Sequence, residues 1–284
     1  MSLEKKLEQK FEQIKAQFGF DAKKLIGREM CGYEIDRYVG HGKMGVVFHA
    51  KKNVGFEAAV KIMPNSKLLP GWDAELKKLG KLEGISQVVQ YKDHKAELIE
   101  NTPTVIILYE FVHGTDLNDY LEKCPNITVG FVELLISEVL NVFQAMKVEG
   151  ITHGDLHAGN IMIADEDSRL INQKPRIKVA DFGIGTPDAT KKPKDDYKSL
   201  ASICSNILVK HIDPANLSGE DRFVREKLLN DFLKKELRED IVTLADDSIR
   251  NPIRLVEDLN SIRTQYAQLD SPSSEQELVH LSII

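Results

Sequence analysis

Apolar residues near the start of the chain recur at helical spacing. Leu3, Leu7, Phe11, Ile14 and Phe18 are separated by four, four, three and four positions, and Lys and Glu fill most of the positions between them. Residues three and four apart lie on the same side of a helix, so this pattern predicts an amphipathic helix of about four turns. Two interpretations remain open: the stripe packs on its own domain, or it binds a partner or a second copy of the chain.

A β-rich region follows from Gly32. Five segments have the alternation or the apolar, β-branched content of strands: residues 33–39, 46–50, 58–62, 97–99 and 104–109. Between the third and fourth of these, residues 72–82 have helical spacing, and an Asn-Thr-Pro turn joins the last two. The pattern predicts a region of strands with one helix.

The rest of the chain is mostly helical. Thr115 can cap a helix over residues 116–123, and a broadly apolar helix over residues 131–146 ends at Gly150. Further helical patterns begin near Asp195, cover residues 220–237 and cover residues 252–263. Two short apolar runs, residues 161–163 and 177–180, indicate a hairpin. This half therefore predicts a second, mainly α-helical domain.

Composition restricts the classes of protein to which the chain can belong. Its 284 residues are enough for two lobes with separate cores, and 29% of them are charged. The net charge of −6 argues against a nucleic-acid partner, and three scattered cysteines suit a reducing compartment. No apolar run approaches the roughly 18 residues needed to cross a bilayer, and the N-terminus lacks the apolar core of a signal peptide. We expect a cytoplasmic protein without a membrane partner.

The candidate chemistry is concentrated in residues 151–163. Asp155 is followed five positions later by Asn160, and Asp181 ends a strand-like run downstream. One carboxylate can orient an acceptor hydroxyl, while an amide and a second carboxylate can hold magnesium. These groups are sufficient for phosphoryl transfer, which depends on positioning and charge neutralisation.

A second motif could supply the nucleotide. Gly40, Gly42 and Gly45 form a Gly-x-Gly-x-x-Gly pattern, in which bare backbone can approach phosphate oxygens closely. Strands lie on both sides of it, whereas a dinucleotide-binding fold would place a helix after the third glycine. Lys61 lies in the next apolar strand, and Glu75, in the helix after it, is a candidate partner for Lys61. The alternative interpretations are that Lys61 is an exposed lysine on an edge strand and that Glu75 is a solvated glutamate.

The order of these elements resembles the protein kinase family from about Gly32 to Arg263. The resemblance implies a two-lobed α+β fold, with an antiparallel five-stranded sheet plus one helix in the N-lobe and a mainly α-helical C-lobe. It divides the chain into an N-terminal helical extension, the N-lobe, the C-lobe and a polar tail, at residues 1–30, 31–112, 113–265 and 266–284. It also implies that ATP and Mg²⁺ are bound.

The resemblance assigns part of the chain to the nucleotide. The residues implied to contact ATP or its metal are Gly40, Gly42, Gly45, Val47, Ala59, Lys61, Glu75, Glu110, Val112, Met162 and Asp181. Lys61 matches the lysine that reaches the α- and β-phosphates, with Glu75 as its partner. Val47, Ala59 and Met162 would enclose the adenine.

The segment after the last N-lobe strand and the catalytic loop have further implied roles. Tyr109 falls at the gatekeeper position, and the backbone of Glu110–Val112 at the hinge that binds adenine. Asp155 matches the catalytic aspartate, while Asn160 and Asp181 match the metal ligands. Asp196 matches a buried helix aspartate that braces the catalytic loop.

Several departures from the family pattern bear on function. His153-Gly154-Asp155 replaces the usual His-Arg-Asp, so no arginine is present there to bind a phosphorylated activation loop. His157 stands where protein kinases usually have lysine; it would touch the γ-phosphate or hydrogen-bond within the loop. His153 is interpreted as a packed structural residue rather than a base. Only fourteen residues separate Asp181 from Asp196, so the usual platform for a peptide substrate is short.

Three classes of function remain open. The sequence around the glycine-rich loop is similar to that of protein kinases and favours a serine/threonine protein kinase, with a hydroxyl group of a protein as acceptor. His-Gly-Asp-Leu-His and the short segment are similar to small-molecule phosphotransferases, such as those that act on antibiotics. A nucleotide-binding pseudokinase scaffold is the third class, although retention of Lys61, Asp155, Asn160 and Asp181 disfavours it.

Overall fold

The computed structural model describes residues 2–67, 72–164, 175–182, 193–236 and 251–269. The backbone divides into two compact units. Unit 1 comprises Met1–Gly114 and Ala180–Thr190, and unit 2 comprises Thr115–Val179 and Lys191–Ile284.

Unit 1 is built on a six-stranded antiparallel sheet with the strand order β1-β2-β3-β4-β6-β5. Its strands are β1 Glu29–Met30, β2 Tyr33–His41, β3 Val46–Lys51, β4 Glu57–Pro64, β5 Tyr91–Ile99 and β6 Thr102–Glu110. Its helices are α1 Leu3–Phe18 and α2 Trp72–Gly80. All five predicted strands are present, and the two-residue β1 adds a sixth.

The main difference from the prediction in this unit is the length of β5. The sequence pattern indicated only residues 97–99, but the strand has nine residues. Most of its side chains are exposed, so both faces are polar and the alternation that marks a half-buried strand is missing. Its partner β6 is mostly buried and supplies the apolar contacts instead.

Helix α1 packs on the sheet of unit 1. Phe11, Ile14 and Phe18 are buried and belong to one core cluster with apolar residues of β2, β3, β4 and β6. The helix begins after Ser2, whose hydroxyl accepts the N–H of Lys5, and ends at Gly19, which adopts the left-handed conformation favoured by glycine. The predicted apolar stripe is therefore mostly buried within its own unit.

Unit 2 is mainly helical. Its helices are α3 Leu117–Lys123, α4 Val129–Glu149, α5 Pro193–Lys210, α6 Gly219–Lys227 and α7 Pro252–Leu269, and a π-helical segment, Leu228–Glu236, continues α6. A small sheet in the order β7-β8-β9 accompanies them, with β7 Gly114–Asp116, β8 Ile161–Ala164 and β9 Arg176–Val179. The predicted hairpin is the antiparallel pair β8–β9.

Helix α4 forms the core of unit 2. It runs for 21 residues between Thr128, which caps its N-terminus, and Gly150, which ends it in the left-handed conformation. It is long and apolar enough to cross a membrane by length and composition, and ten of its apolar side chains are buried within the protein. The apolar character of α4 is accounted for by this packing.

The structure corrects two details of the predicted helices. Asp116 rather than Thr115 caps α3, because its carboxylate accepts the N–H groups of Asn118 and Asp119 at 2.9 and 3.1 Å. The last helix extends six residues beyond its predicted end, to Leu269. In that extension Tyr266 packs against Phe223 of α6, with ring centroids 5.5 Å apart.

Candidate functional site

The side chains predicted to surround the nucleotide in unit 1 share one face of the sheet. Val47 lies directly opposite Gly40 on one side and Lys61 on the other, and Ala59 lies directly opposite Tyr109. Directly opposed residues and residues two apart on a strand point to the same face. The sheet therefore groups these five positions. The residues that alternate with these positions along each strand point to the opposite face of the sheet, which α1 covers.

Glycine is explained differently at the three glycines of the motif, of which Gly40 lies in β2 and Gly42 and Gly45 lie in the turn before β3. A Cβ on Gly45 would lie 2.3 Å from the carbonyl oxygen of Ile62 and 2.7 Å from Cγ of Met63, so packing itself requires glycine there. A Cβ on Gly40 or Gly42 would meet nothing within 4 Å in the part of the chain that the structure describes. Packing does not explain glycine at these two positions, whereas close approach of a ligand to the backbone would.

Lys61 pairs with Asp181. Its Nζ donates to Oδ1 of Asp181 over 2.5 Å, and the lysine side chain is only 11% exposed. Asp181 has a φ of 60°, a left-handed conformation that is uncommon outside glycine but tolerated by Asp and Asn. Glu75 lies in α2, but its side chain falls outside the described residues, so its pairing with Lys61 stays a prediction.

The predicted hinge follows β6 directly. Glu110 is the last residue of that strand, and its N–H donates to the carbonyl of Gln90 over 2.7 Å while its carboxylate accepts the N–H of Gln90 over 3.2 Å. These contacts fix where the strand ends and the segment through Val112 begins. Tyr109, just before it, is buried, and burial raises the pKa of its hydroxyl well above the ordinary value.

A histidine–carboxylate cluster beside the hinge was not predicted. Nε2 of the buried His49 lies 2.8 Å from Oε1 of Glu57, and its Nδ1 lies 3.1 Å from Oδ2 of Asp36. Nε2 of His113 lies 2.6 Å from the other oxygen of Glu57. Hydrogen bonding to His49, and then to His113, holds the pKa of Glu57 below its ordinary value. No single stretch of sequence signals the cluster, because its members come from three strands and the hinge.

In unit 2, Asp196 organises the predicted catalytic loop. Its carboxylate, which is 3% exposed, accepts the backbone N–H groups of His153 and Gly154, each over 2.9 Å. Gly154 has a φ of 75°, a conformation that favours glycine. The backbone conformation therefore explains why glycine stands between His153 and Asp155. His153 is 1% exposed and its Nδ1 accepts the N–H of Asp155 over 3.2 Å. These contacts agree with the interpretation of His153 as a packed structural residue.

The remaining predicted residues of unit 2 lie in the same loop or directly after it. Nδ2 of Asn160 donates to the carbonyl of Asp155 over 3.0 Å, which leaves Oδ1 as the group suited to a metal ion. Nδ1 of His157 accepts the N–H of Gly159 over 3.1 Å, so the histidine hydrogen-bonds within the loop. Asp155 and His157 are exposed, whereas Met162 of β8 is half-buried.

Comparison with known families identifies the class of protein. The sequence model described as "Protein kinase domain" matches residues 33–204. This match covers more than half of the chain, and the chain belongs to the protein kinase family, whose members are phosphotransferases. The antiparallel sheet of unit 1 and the helices of unit 2 confirm the predicted α+β class.

Individual relatives agree with this assignment. The chain is 29% identical over 170 residues to the human serine/threonine-protein kinase ULK1, which covers 56% of this chain and 15% of that protein. It is 25% identical over 193 residues to the serine/threonine-protein kinase RAD53 of Saccharomyces cerevisiae, which covers 67% of this chain and 21% of that protein. The chain spans less than two thirds of the length of these curated relatives.

Solved structures show the same fold. The M. tuberculosis PknI kinase domain has a TM-score of 0.57 with this chain at 17% sequence identity, over 84% of this chain and 98% of that domain. At this identity the likeness concerns the fold alone. The predicted α+β kinase-like fold is thereby confirmed from a source independent of the motifs.

Proposed function

We propose that the chain transfers the γ-phosphate of ATP, with magnesium, to a hydroxyl group of a protein, on serine or threonine. The observation that carries this proposal is the pairing of Lys61 with Asp181. The pair brings a lysine suited to phosphate oxygens and a carboxylate suited to magnesium together beside the sheet face that carries Val47 and Ala59. A magnesium–triphosphate complex satisfies both charges.

The nucleotide is assigned to the face of the sheet that α1 does not cover. Lys61 binds the α- and β-phosphates, and the backbone around Gly40 and Gly42 approaches them, since no atom of the described residues lies within 4 Å of a Cβ at either glycine. Val47 and Ala59 contact the adenine, together with Met162. The backbone of the hinge, from Glu110 to Val112, binds the edge of the base.

The metal is assigned to Asn160 and Asp181. Magnesium prefers oxygen ligands and is usually held by one or two carboxylates together with substrate phosphates. The oxygens of Asn160 and Asp181 fit this preference. Among the described residues no group of three or more His, Cys, Asp or Glu side chains could form an all-protein metal cage. When bound, magnesium neutralises charge on the β- and γ-phosphates.

The acceptor is assigned to Asp155. Its exposed carboxylate orients the acceptor hydroxyl and accepts its proton as the new oxygen–phosphorus bond forms and the bond to ADP breaks. Asp196 and Asn160 hold the backbone on both sides of it. His157 is assigned to the same loop, where its ring nitrogen already caps the turn that ends at Asn160.

The test is phosphate transfer from γ-labelled ATP with magnesium, offered to the chain itself and to a generic basic protein. Labelled serine or threonine, located by mass spectrometry, is the expected result.

A second candidate, a small-molecule phosphotransferase, is favoured by His-Gly-Asp-Leu-His and by the short segment between Asp181 and Asp196. Transfer to members of a metabolite panel without protein labelling would favour that candidate. Nucleotide binding without any transfer would favour a scaffold.

A further inference from the structure

Helix α1 lies outside the part of the chain that matches the protein kinase family. Its buried residues Phe11, Ile14 and Phe18 cover the face of the sheet opposite to Lys61. The helix is thus an addition to the family domain that contributes to the core of unit 1. The other side chains of α1 that the structure describes are exposed, and that of Gln17 reaches the glycine-rich loop.

Gln17 makes that contact. Its amide Nε2 donates to the carbonyl oxygen of Gly42 over 3.3 Å and to that of Lys43 over 3.5 Å. The same turn is closed by the N–H of Gly42, which donates to the carbonyl of Gly45 over 3.0 Å. One side chain of α1 therefore fastens the tip of the loop.

A second contact fixes the base of the loop. The hydroxyl of Tyr38 lies 2.6 Å from Nδ1 of His41, the residue between the first two glycines. The Tyr38 ring packs edge-on against Phe11 of α1 and against Phe48 of β3, with centroids 5.5 and 6.3 Å apart. The helix thus contacts the loop through an aromatic pair at its base and an amide at its tip.

The end of α1 that carries Gln17 is itself held in place. The carbonyl of Gly19 accepts the hydroxyl hydrogen of Thr102 over 2.8 Å, and Glu100 accepts the N–H of Asp21 over 2.8 Å. Lys24 donates to the other oxygen of Glu100 over 2.8 Å. These contacts join the C-terminal end of the helix to the turn between β5 and β6, so Gln17 projects from a fixed support.

We propose that Gln17 is a positioning residue, through which α1 holds the glycine-rich loop in one arrangement and so raises the affinity for nucleotide phosphates. Glycine-rich backbone loses much conformational freedom when it is ordered around a ligand, and ordering it beforehand lowers that cost. Gln17 touches neither nucleotide nor metal and acts through the carbonyls of Gly42 and Lys43. The effect on nucleotide affinity rests on the proposed function, whereas the ordering of the loop does not.

The test compares substitutions that differ in hydrogen bonding but not in helix formation. Gln17→Ala removes the donor, Gln17→Glu places a carboxylate against two carbonyls, and Gln17→Lys supplies a donor of similar reach; all four residue types form helices well. We expect the KM for ATP to rise about three- to tenfold in Gln17→Ala, to rise further in Gln17→Glu and to return toward wild type in Gln17→Lys, with kcat little changed.

Gln13→Ala is the matched control. Gln13 lies one turn earlier on α1, and its exposed side chain makes no hydrogen bond within the described part of the chain. The KM of the Gln13→Ala variant for ATP should equal that of wild type. Equal KM values for Gln17→Ala and Gln13→Ala, or for Gln17→Glu and Gln17→Ala, would overturn the proposal.

Hydrogen exchange at the amides of residues 40–45, measured without nucleotide, tests whether Gln17 orders the loop independently of whether the loop binds nucleotide. Faster exchange in Gln17→Ala than in Gln13→Ala supports the positioning role, and equal exchange contradicts it. If the wild-type chain binds no ATP, the proposed function fails, and this measurement still decides whether Gln17 orders the loop.

Discussion

Nζ of Lys61 lies 2.5 Å from Oδ1 of Asp181, although 120 positions separate the two residues in the sequence. The lysine projects from β4, and the aspartate follows β9 by two residues in a left-handed conformation. The pair brings together the cation and the carboxylate that phosphoryl transfer requires on the nucleotide side. Each member would interact with a different part of a magnesium–nucleotide complex.

Replacing either member of this pair should impair the reaction in a distinct way. Lys61→Met should lower phosphate transfer about 100-fold or more, because the phosphates lose a charged donor. Asp181→Asn should weaken binding of the magnesium–nucleotide complex itself, as measured by titration with and without magnesium. Lys51→Met is the matched control, since Lys51 lies on the same sheet and pairs with Asp36, and its activity should be close to wild type. Unchanged magnesium-dependent affinity in Asp181→Asn would refute its assignment as a ligand.

Substitutions at two glycines of the motif should distinguish a glycine required by packing from one required by contact with a ligand. Gly45→Ala should lower the free energy of unfolding by about 1–3 kcal/mol, because its Cβ overlaps the carbonyl of Ile62 in β4. Gly40→Ala should leave stability nearly unchanged, since its Cβ meets none of the described residues within 4 Å. It should raise the KM for ATP severalfold, because in the proposed site the phosphates approach this backbone. Thermal unfolding and steady-state kinetics on both variants check this. Equal destabilisation by the two substitutions would be inconsistent with the structure.

Removing Asp196 should disorganise the catalytic loop. Asp196→Ala leaves the N–H groups of His153 and Gly154 without their acceptor in a buried site, and we expect a loss of about 2–4 kcal/mol in the free energy of unfolding. Asp258→Ala is the control, because Asp258 is a partly exposed carboxylate in α7 that pairs with Arg254 at 3.8 Å, and its cost should stay under about 0.5 kcal/mol. Denaturant titration measures both. Similar costs for the two would show that Asp196 does not brace the loop.

The cluster beside the hinge should make stability depend on pH. His49 and His113 hold the pKa of Glu57 below its ordinary value of 4.5. A carboxyl whose pKa is lower in the folded state stabilises the fold above the unfolded pKa, and this contribution is lost as pH falls through the folded pKa. The stability difference between wild type and Glu57→Gln should thus be largest above pH 4.5 and shrink below it. A difference that stays constant between about pH 3 and pH 6 would contradict this coupling.

The sequence predicted the features that depend on local pattern. Periodic apolar residues located α1 and α4, and alternation or apolar runs located most of the strands, because burial of one face imposes those patterns. The motifs also predicted that Lys61 and Asp155 belong to a phosphoryl-transfer site, and that assignment stays a prediction. Gly154 shows how a departure from the family pattern can have a local cause, since its backbone conformation favours glycine.

The features that sequence reasoning missed depend on distant contacts. The polar strand β5 is defined by its partner β6 rather than by its own alternation. His49 and Glu57 meet because β3 and β4 pair in one register, and nothing in either segment alone signals it. Gln17 is one of many polar residues on α1, and only the fold shows that it reaches the loop.

The most direct test of the account is phosphate transfer from γ-labelled ATP by the wild-type chain and by Asp155→Asn, measured beside nucleotide binding. In the proposed mechanism Asp155 acts on the acceptor, so the variant should bind ATP with nearly wild-type affinity and lose about 100-fold or more of its transfer to protein serine or threonine. Wild-type transfer by Asp155→Asn, or no transfer by the wild-type chain to any protein, would contradict the proposed function.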